Sequence, residues 1–289
     1  MQAPLAPTAR PVQLRGDYEH ARDDYTVEQD CAAYTPEEHA VWRDLYRRQV
    51  GLVERYAAPE FLAGVRALGV AADRIPSLAE TSSRLGERTG WRLVAVPGLI
   101  PEAHFFAHLA ARRFPVTVWI RTREELDYLV EPDLFHDFFG HVPLLANPVF
   151  ADFLQAYGRR GPEAERLGGL KMLARLYWYM VEFGLIRTPA GLRAYGAGML
   201  SSAGETVYCI EDPRPSRLAF DLERVMRTDY LIDDYQRTYF VVDGYEQLFE
   251  AVLTTDFAPL YARYAASPGF APGAVLPGDR LVDPEPRRS

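Results

Sequence analysis

Two histidines five residues apart lie in Glu131-Pro-Asp-Leu-Phe-His136-Asp137-Phe-Phe-Gly140-His141-Val-Pro143, a stretch otherwise rich in phenylalanine and leucine. Burying two imidazoles among apolar side chains is costly unless each ring nitrogen finds a partner. Neutral imidazole is the commonest metal ligand, so an ion is the first partner to consider. On an ideal α-helix five residues advance about 500°, which leaves the rings roughly 140° apart. They can share one ion only if the helix unwinds near Gly140 or widens its turn, and Pro143 hinders continuation beyond. Two hydrogen-bonded core histidines are the alternative. A third ligand has to come from elsewhere, and Glu182 is the candidate. It is the only charged residue between Arg175 and Arg187, in Leu176-Tyr-Trp-Tyr-Met-Val-Glu182-Phe-Gly-Leu-Ile186. A carboxylate in such a run needs a metal, a strong ion pair with one of those arginines, or a proton. Two His and one carboxylate form the facial set of non-haem Fe(II) oxygenases. The same donors also serve hydrolytic zinc.

These residues must be held by a mainly helical chain with a small β component. Thr35-Pro36-Glu37-Glu38 is a capping box with Pro at the first helical position, and apolar residues from Val41 to Tyr56 follow at helical spacing. Phe61 to Leu68 forms a second helix ended by Gly69, and a third runs from Ser77 to near Gly90. Trp91 to Val96 and Val116 to Ile120 are strand candidates flanking a helix over Pro101 to Arg113. Asn147-Pro148 restarts a helix, and a longer one is expected from Pro162 to Gly184. Ala194 to Ile210 is rich in Gly and Ser and is expected as loops with short strands. Ser216 to Arg227 and Tyr245 to Leu253 are expected as the last helices. Residues 1–30 read as an extended, partly disordered arm, 31–267 as a single catalytic domain, and 268–289 as a Pro/Gly-rich tail.

The 289 residues are 48% hydrophobic, enough for a substantial core. A net charge of −8 argues against a nucleic-acid or anionic-membrane partner. Two cysteines, Cys31 and Cys209, make no disulfide scaffold, and no signal or bilayer-length apolar run is present. The expectation is a soluble cytoplasmic protein.

The segments quoted above, together with Ala194-Tyr-Gly-Ala-Gly-Met-Leu-Ser-Ser-Ala-Gly-Glu205, resemble the pterin-dependent aromatic amino acid hydroxylases, and most nearly the short bacterial phenylalanine 4-hydroxylases. The resemblance runs from about Tyr34 to Leu253. It implies a single catalytic domain of that family's fold, with Fe(II) on His136, His141 and Glu182. It also implies a tetrahydropterin (tetrahydrobiopterin or a bacterial analogue) and hydroxylation of L-phenylalanine to L-tyrosine by O2. Gly98, Leu99, Ile100 and Phe105 then hold the pterin, Asp137 reaches it through water, and Tyr177 stands near pterin and iron.

Arg121 takes the position of the arginine that clamps the substrate carboxylate, a planar partner its guanidinium fork suits. Arg123 lies nearby. Tyr128, Pro132, Trp178 and Phe183 match the aromatic-ring pocket, and Ser201 and Ser202 match residues near the substrate backbone and a ligand histidine. Animal members carry Thr-Pro where this chain has Leu129-Val130. Val241 and Trp178 point to phenylalanine rather than tyrosine or tryptophan, and Phe135, Phe138, Trp178 and Phe183 form an apolar cage. A monomer without a separate phenylalanine-sensing domain is expected. The alternatives are a tyrosine or tryptophan hydroxylase of the same family, a zinc hydrolase, and a non-catalytic binder of pterin or amino acid.

Overall fold

The computed structural model describes residues 15–127, 129 and 131–283. Tyr128, Val130, residues 1–14 of the arm and residues 284–289 of the tail lie outside the described residues. Helix α1 (Pro36–Tyr56) is opened by Thr35, whose hydroxyl accepts from the Glu38 N–H while the Glu38 carboxylate reaches back to the Thr35 N–H at 2.7 Å. Its buried face carries Val41, Trp42, Leu45 and Val53. Helices α2 (Pro59–Leu68) and α3 (Leu78–Thr89) end on Gly69 and Gly90, both in the left-handed conformation. Strand β1 (Arg92–Val96) leads through α4 (Glu102–Ala110) to β2 (Arg113–Thr117), which pairs parallel with it. The second strand therefore begins three residues before the expected Val116. Pro115 discourages a strand in the sequence, but in a two-stranded sheet its missing N–H can face the unpaired edge.

After the central motif, α5 (Pro148–Arg166) is capped by Asn147 and runs straight through Pro162, where the sequence suggests a new start. Its close packing on α4 carries it past the lost hydrogen bond. The expected helix over 162–184 is instead the end of α5, then α6 (Leu170–Tyr177) and a wide turn over Trp178–Glu182. Strands β3 (Leu185–Thr188) and β4 (Gly191–Ala194) form a hairpin, followed by α7 (Ala197–Leu200) and α8 (Ala203–Glu211). The Gly/Ser-rich region is thus helical after Gly196, with Ser202 capping α8. The expected helix over 216–227 divides into β5 (Ser216–Ala219) and α9 (Leu222–Met226), capped by Asp221. Strand β6 (Thr238–Val242), α10 (Tyr245–Thr254) and a further helix, α11 (Phe257–Tyr264), complete the series.

The larger sheet has the order β4-β3-β6-β5, with β6 parallel to both neighbours. The core closes around the histidine segment: Trp42 meets Phe135 and Phe138 edge-on at 5.3 and 5.9 Å, and Phe61 meets Phe139 at 5.8 Å. Both flanks are fastened to this body. Arm residues 15–30 form no helix or strand, yet the Val27 N–H donates to Ala95 O at 2.9 Å and Thr26 is buried. In the tail, Arg224 and Asp279 form a buried ion pair at 3.0 Å, and the Val282 N–H donates to Arg217 O.

Candidate metal centre and cleft

The histidine segment is not an ideal helix. Phe135–His141 forms a π-helical turn, and so does Trp178–Glu182, whose exit is closed by a hydrogen bond from the Phe183 N–H to Trp178 O at 3.0 Å. The wider turn removes the angular mismatch that five-residue spacing has on an α-helix. Its causes are local. The Asp133 carboxylate caps the His136 N–H at 3.0 Å, and Pro143 offers no N–H to the turn before it. Gly140 lets the segment approach α7, since a Cβ there would lie 2.9 Å from Ala197 O.

The two wide turns bring His136, His141 and Glu182 together, with one ligand atom of each within 4.8 Å of the others. His141 Nε2 is 3.1 Å from Glu182 Oε1, and His136 Nε2 is 3.5 Å from Oε2. The Ser201 hydroxyl donates to Ala197 O at 2.8 Å, so at 2.9 Å from His136 Nδ1 it accepts the ring proton. That fixes the tautomer: Nδ1 carries hydrogen and Nε2 presents a lone pair to the carboxylate. Burial lowers the His136 pKa. Burial is the largest single influence on His141 and Glu182 and opposes charge on both. The charge and hydrogen bond of each partner, with Asp137 acting on His141 and with His136 and the Gly198 N–H acting on Glu182, together outweigh it, so His141 moves up and Glu182 down. Two imidazole nitrogens and one carboxylate gathered within 4.8 Å of one another are a donor set that suits a divalent cation. The donor set therefore fits Fe(II).

Above this floor opens a cleft of about 710 Å³ lined by His136, Glu182, Arg121, Pro132, Phe135, Trp178, Phe183, Ser201 and Ser202. Arg121 is buried, and its Nε and Nη2 donate to both oxygens of Asp133 at 2.8 and 2.9 Å. Trp178 is stacked on Tyr230 at 4.3 Å and tilted against Phe183 at 5.0 Å. Outside the cleft's lining, the Tyr177 ring lies 6.3 Å from His141 and 5.3 Å from Phe105. Asp137 accepts from the Thr117 N–H at 2.8 Å, and burial pushes its carboxyl up. The 97–100 loop reaches the cleft through Leu99; Gly98, Ile100 and Phe105 are not part of its lining.

Two expected residues are placed elsewhere. Val241 is buried in the interior of the sheet on β6, which is paired on both sides, and does not line the cleft. The apolar side chain that reaches the cleft from this region is Ile232, 77% exposed and set in the 231–235 loop with Asp233, Asp234 and Tyr235. Phe138 packs into the core against Trp42, so the cage consists of Phe135, Trp178 and Phe183. Sequence reasoning passes over Asp133, although a carboxylate three residues before His136 is a capping signal. It also passes over Glu131 and Glu205, and nothing local marks Ile232.

A family model for biopterin-dependent aromatic amino acid hydroxylases matches residues 16–263. The phenylalanine-4-hydroxylase of Chromobacterium violaceum is 53% identical over 264 residues, covering 91% of this chain and 89% of that protein. The phenylalanine-4-hydroxylase of Ralstonia nicotianae is 54% identical over 267 residues, covering 92% and 85%. An iron- and phenylalanine-bound crystal structure of the C. violaceum enzyme superposes with a TM-score of 0.87 at 52% identity, covering 91% of this chain and 96% of that one.

Proposed function

The chain belongs to the biopterin-dependent aromatic amino acid hydroxylases, and from that membership we infer that it is a phenylalanine 4-monooxygenase, converting L-phenylalanine and O2 to L-tyrosine with Fe(II) and a tetrahydropterin. The observation that carries this reading is the convergence of His136, His141 and Glu182 on the floor of an aromatic-walled cleft. Iron and reduced pterin, when bound, supply the electrons and oxygen activation that no side chain provides. His136, His141 and Glu182 would hold the iron from one side and leave the other side to the cleft. Ser201 keeps His136 in the ligating tautomer. Pro132, Phe135, Trp178 and Phe183 form the wall for the substrate ring and limit water beside it.

Arg121, held by Asp133, is the residue for the substrate carboxylate, with Ser201 and Ser202 close to the substrate backbone. Tyr177 and Asp137 would face the pterin near the iron ligands, and the 97–100 loop and Phe105 would receive it. Tyr128 keeps its assignment to the ring pocket by resemblance alone, and residues 31–267 form the catalytic domain. A monomer and a cytoplasmic location complete the proposal. Both cysteines are free, and no helix among the described residues is long and apolar enough to cross a membrane.

Anaerobic loading with Fe(II), followed by O2, a synthetic tetrahydropterin and each aromatic amino acid in turn, tests the reading. Tyrosine formed from phenylalanine, with the highest kcat/KM of the three substrates, is the expected result. A higher kcat/KM for tryptophan or tyrosine would reassign the substrate. No pterin-dependent hydroxylation, as a zinc hydrolase or a simple binding protein would give, overturns the reading.

A further inference from the structure

The 97–100 loop connects β1 to α4, and three side chains from three separate segments engage its backbone. Trp119 Nε1–H donates to Pro97 O at 3.0 Å. The Glu131 carboxylate accepts from the Leu99 N–H at 3.4 Å, and the Tyr18 hydroxyl donates to Leu99 O at 3.0 Å. The last two grip one residue from both sides. They also converge on Gly98, whose φ is +151°: a Cβ there would lie 2.6 Å from Glu131 Oε1 and 2.8 Å from the Tyr18 hydroxyl. Glycine is thus needed at 98 for conformation and for space. No hydrogen bond among the described residues engages the backbone of Gly98 or Ile100.

We propose that Tyr18 and Glu131 are positioning residues for the cofactor, clamping Leu99 so that the 97–100 loop is preshaped to receive the pterin. The proposal rests on the function inferred above and adds to it a role for the arm. Tyr18 is not a free side chain on a trailing segment. Its neighbours are fixed to the same face: Gly16 packs on Pro97, and Arg15 pairs with Glu125 while lying 5.1 Å from the Trp119 ring. Glu131 stands two residues before Asp133, which caps the first histidine's turn, and its Oε2 is buried with no partner among the described residues. A carboxylate held this way ties the shape of the pterin loop to the segment that starts the metal floor. Preforming a loop raises affinity by removing the ordering cost from the binding step.

Tyr18→Phe deletes one hydrogen bond and keeps the ring, so the fold is expected to survive, as thermal denaturation will show. Binding of 7,8-dihydrobiopterin to the full-length Fe(II) protein under anaerobic conditions, measured by calorimetry, should weaken about three- to tenfold. Deuterium exchange over residues 96–104 should speed up in the same variant. In turnover, KM for the tetrahydropterin should rise while KM for phenylalanine moves less than about twofold. Glu131→Gln keeps an oxygen for the Leu99 N–H and should bind more tightly than Glu131→Ala. A folded Tyr18→Phe protein with unchanged dihydrobiopterin affinity and exchange overturns the clamp and leaves the function standing. Failure of the unmodified protein to bind dihydrobiopterin overturns the function and the clamp together.

Discussion

The floor and the rim of the cleft are built by different means. On the floor, His136 and His141 come from one turn, Glu182 from another, and the backbone geometry of those turns is locked in a fully packed aromatic core. On the rim, position depends on single hydrogen bonds between residues far apart in the chain. Tyr18 to Leu99 spans 81 residues, Glu131 to Leu99 spans 32 and Glu205 to Gln236 spans 31. Each such bond contributes about 0.5–1.5 kcal/mol net, whereas deforming a packed core costs several. The rim can therefore be tuned while the metal site stays intact. Floor variants should move iron affinity, and rim variants that touch no iron ligand should move stability or ligand binding with little change in iron.

The sharpest test of that division is Glu182→Ala. It removes the only carboxylate among the three ligands and leaves two imidazoles for the ion. Ferrous affinity should fall beyond the roughly 10–100-fold that loss of an outer partner costs, and hydroxylation should disappear. Anaerobic iron titration with a competing chelator reads it directly. Iron bound at near-normal affinity, with turnover intact, would remove the floor as described.

The same contrast governs what could be read in the sequence. Thr35, Gly69, Ser77, Gly90 and Asn147 sit at helix ends and mark them by their own chemistry, so α1 to α3 and the start of α5 were legible. Glu182 is marked by the absence of other charges between Arg175 and Arg187, and the five-residue histidine spacing demands a non-ideal turn. Strands β3 to β6 have only four or five residues each, too few for periodicity to declare them. Val241 lies in a strand buried along its whole length, so its apolar character could not distinguish pocket from core. Ile232 is an apolar side chain placed at the cleft by long-range packing, which no local pattern announces. Arg121 is marked by the resemblance, while its pairing with Asp133 emerges only from the folded geometry.

Asp133→Ala probes the junction between the two regions. Asp133 is fully buried and accepts from the Arg121 backbone and guanidinium and from the His136 N–H. Removing it leaves an uncompensated buried guanidinium, at about 3–5 kcal/mol, which corresponds to a fall in Tm of roughly 6–20 °C. Scanning calorimetry checks this. A shift of less than roughly 2 °C would mean that Arg121 does not depend on the pair.

On the rim, Glu205 offers a pH test. Burial pushes its carboxyl up to about 7, although the Gln236 N–H and Tyr239 hydroxyl donate to it at 3.0 and 2.7 Å. An acid whose pKa is higher in the folded than in the unfolded chain is bound more tightly by its proton in the fold. Its contribution is therefore most favourable below the unfolded value near 4.3, declines as pH rises toward 7, and levels off above that. Glu205→Gln keeps an acceptor oxygen and removes the titration. Its stability advantage over the parent should grow between pH 5 and 8, by on the order of 3 kcal/mol, with iron affinity unchanged. Parallel urea-denaturation midpoints across that range would contradict the assignment.

A smaller effect than these is expected where rim touches floor, at Ser201. Its hydroxyl has one proton, and Ala197 O takes it, so toward His136 it can only accept. Ser201→Ala leaves the Nδ1–H without that partner and frees the ring to move its proton to Nε2, where a proton blocks ligation. The expected loss in ferrous affinity is roughly 10–100-fold, below that for Glu182→Ala because all three ligands remain. Ser201→Thr retains the hydroxyl and should recover most of it. If Ser201→Ala binds iron within about twofold of the parent, the tautomer is set by packing alone, and the floor owes nothing to the rim.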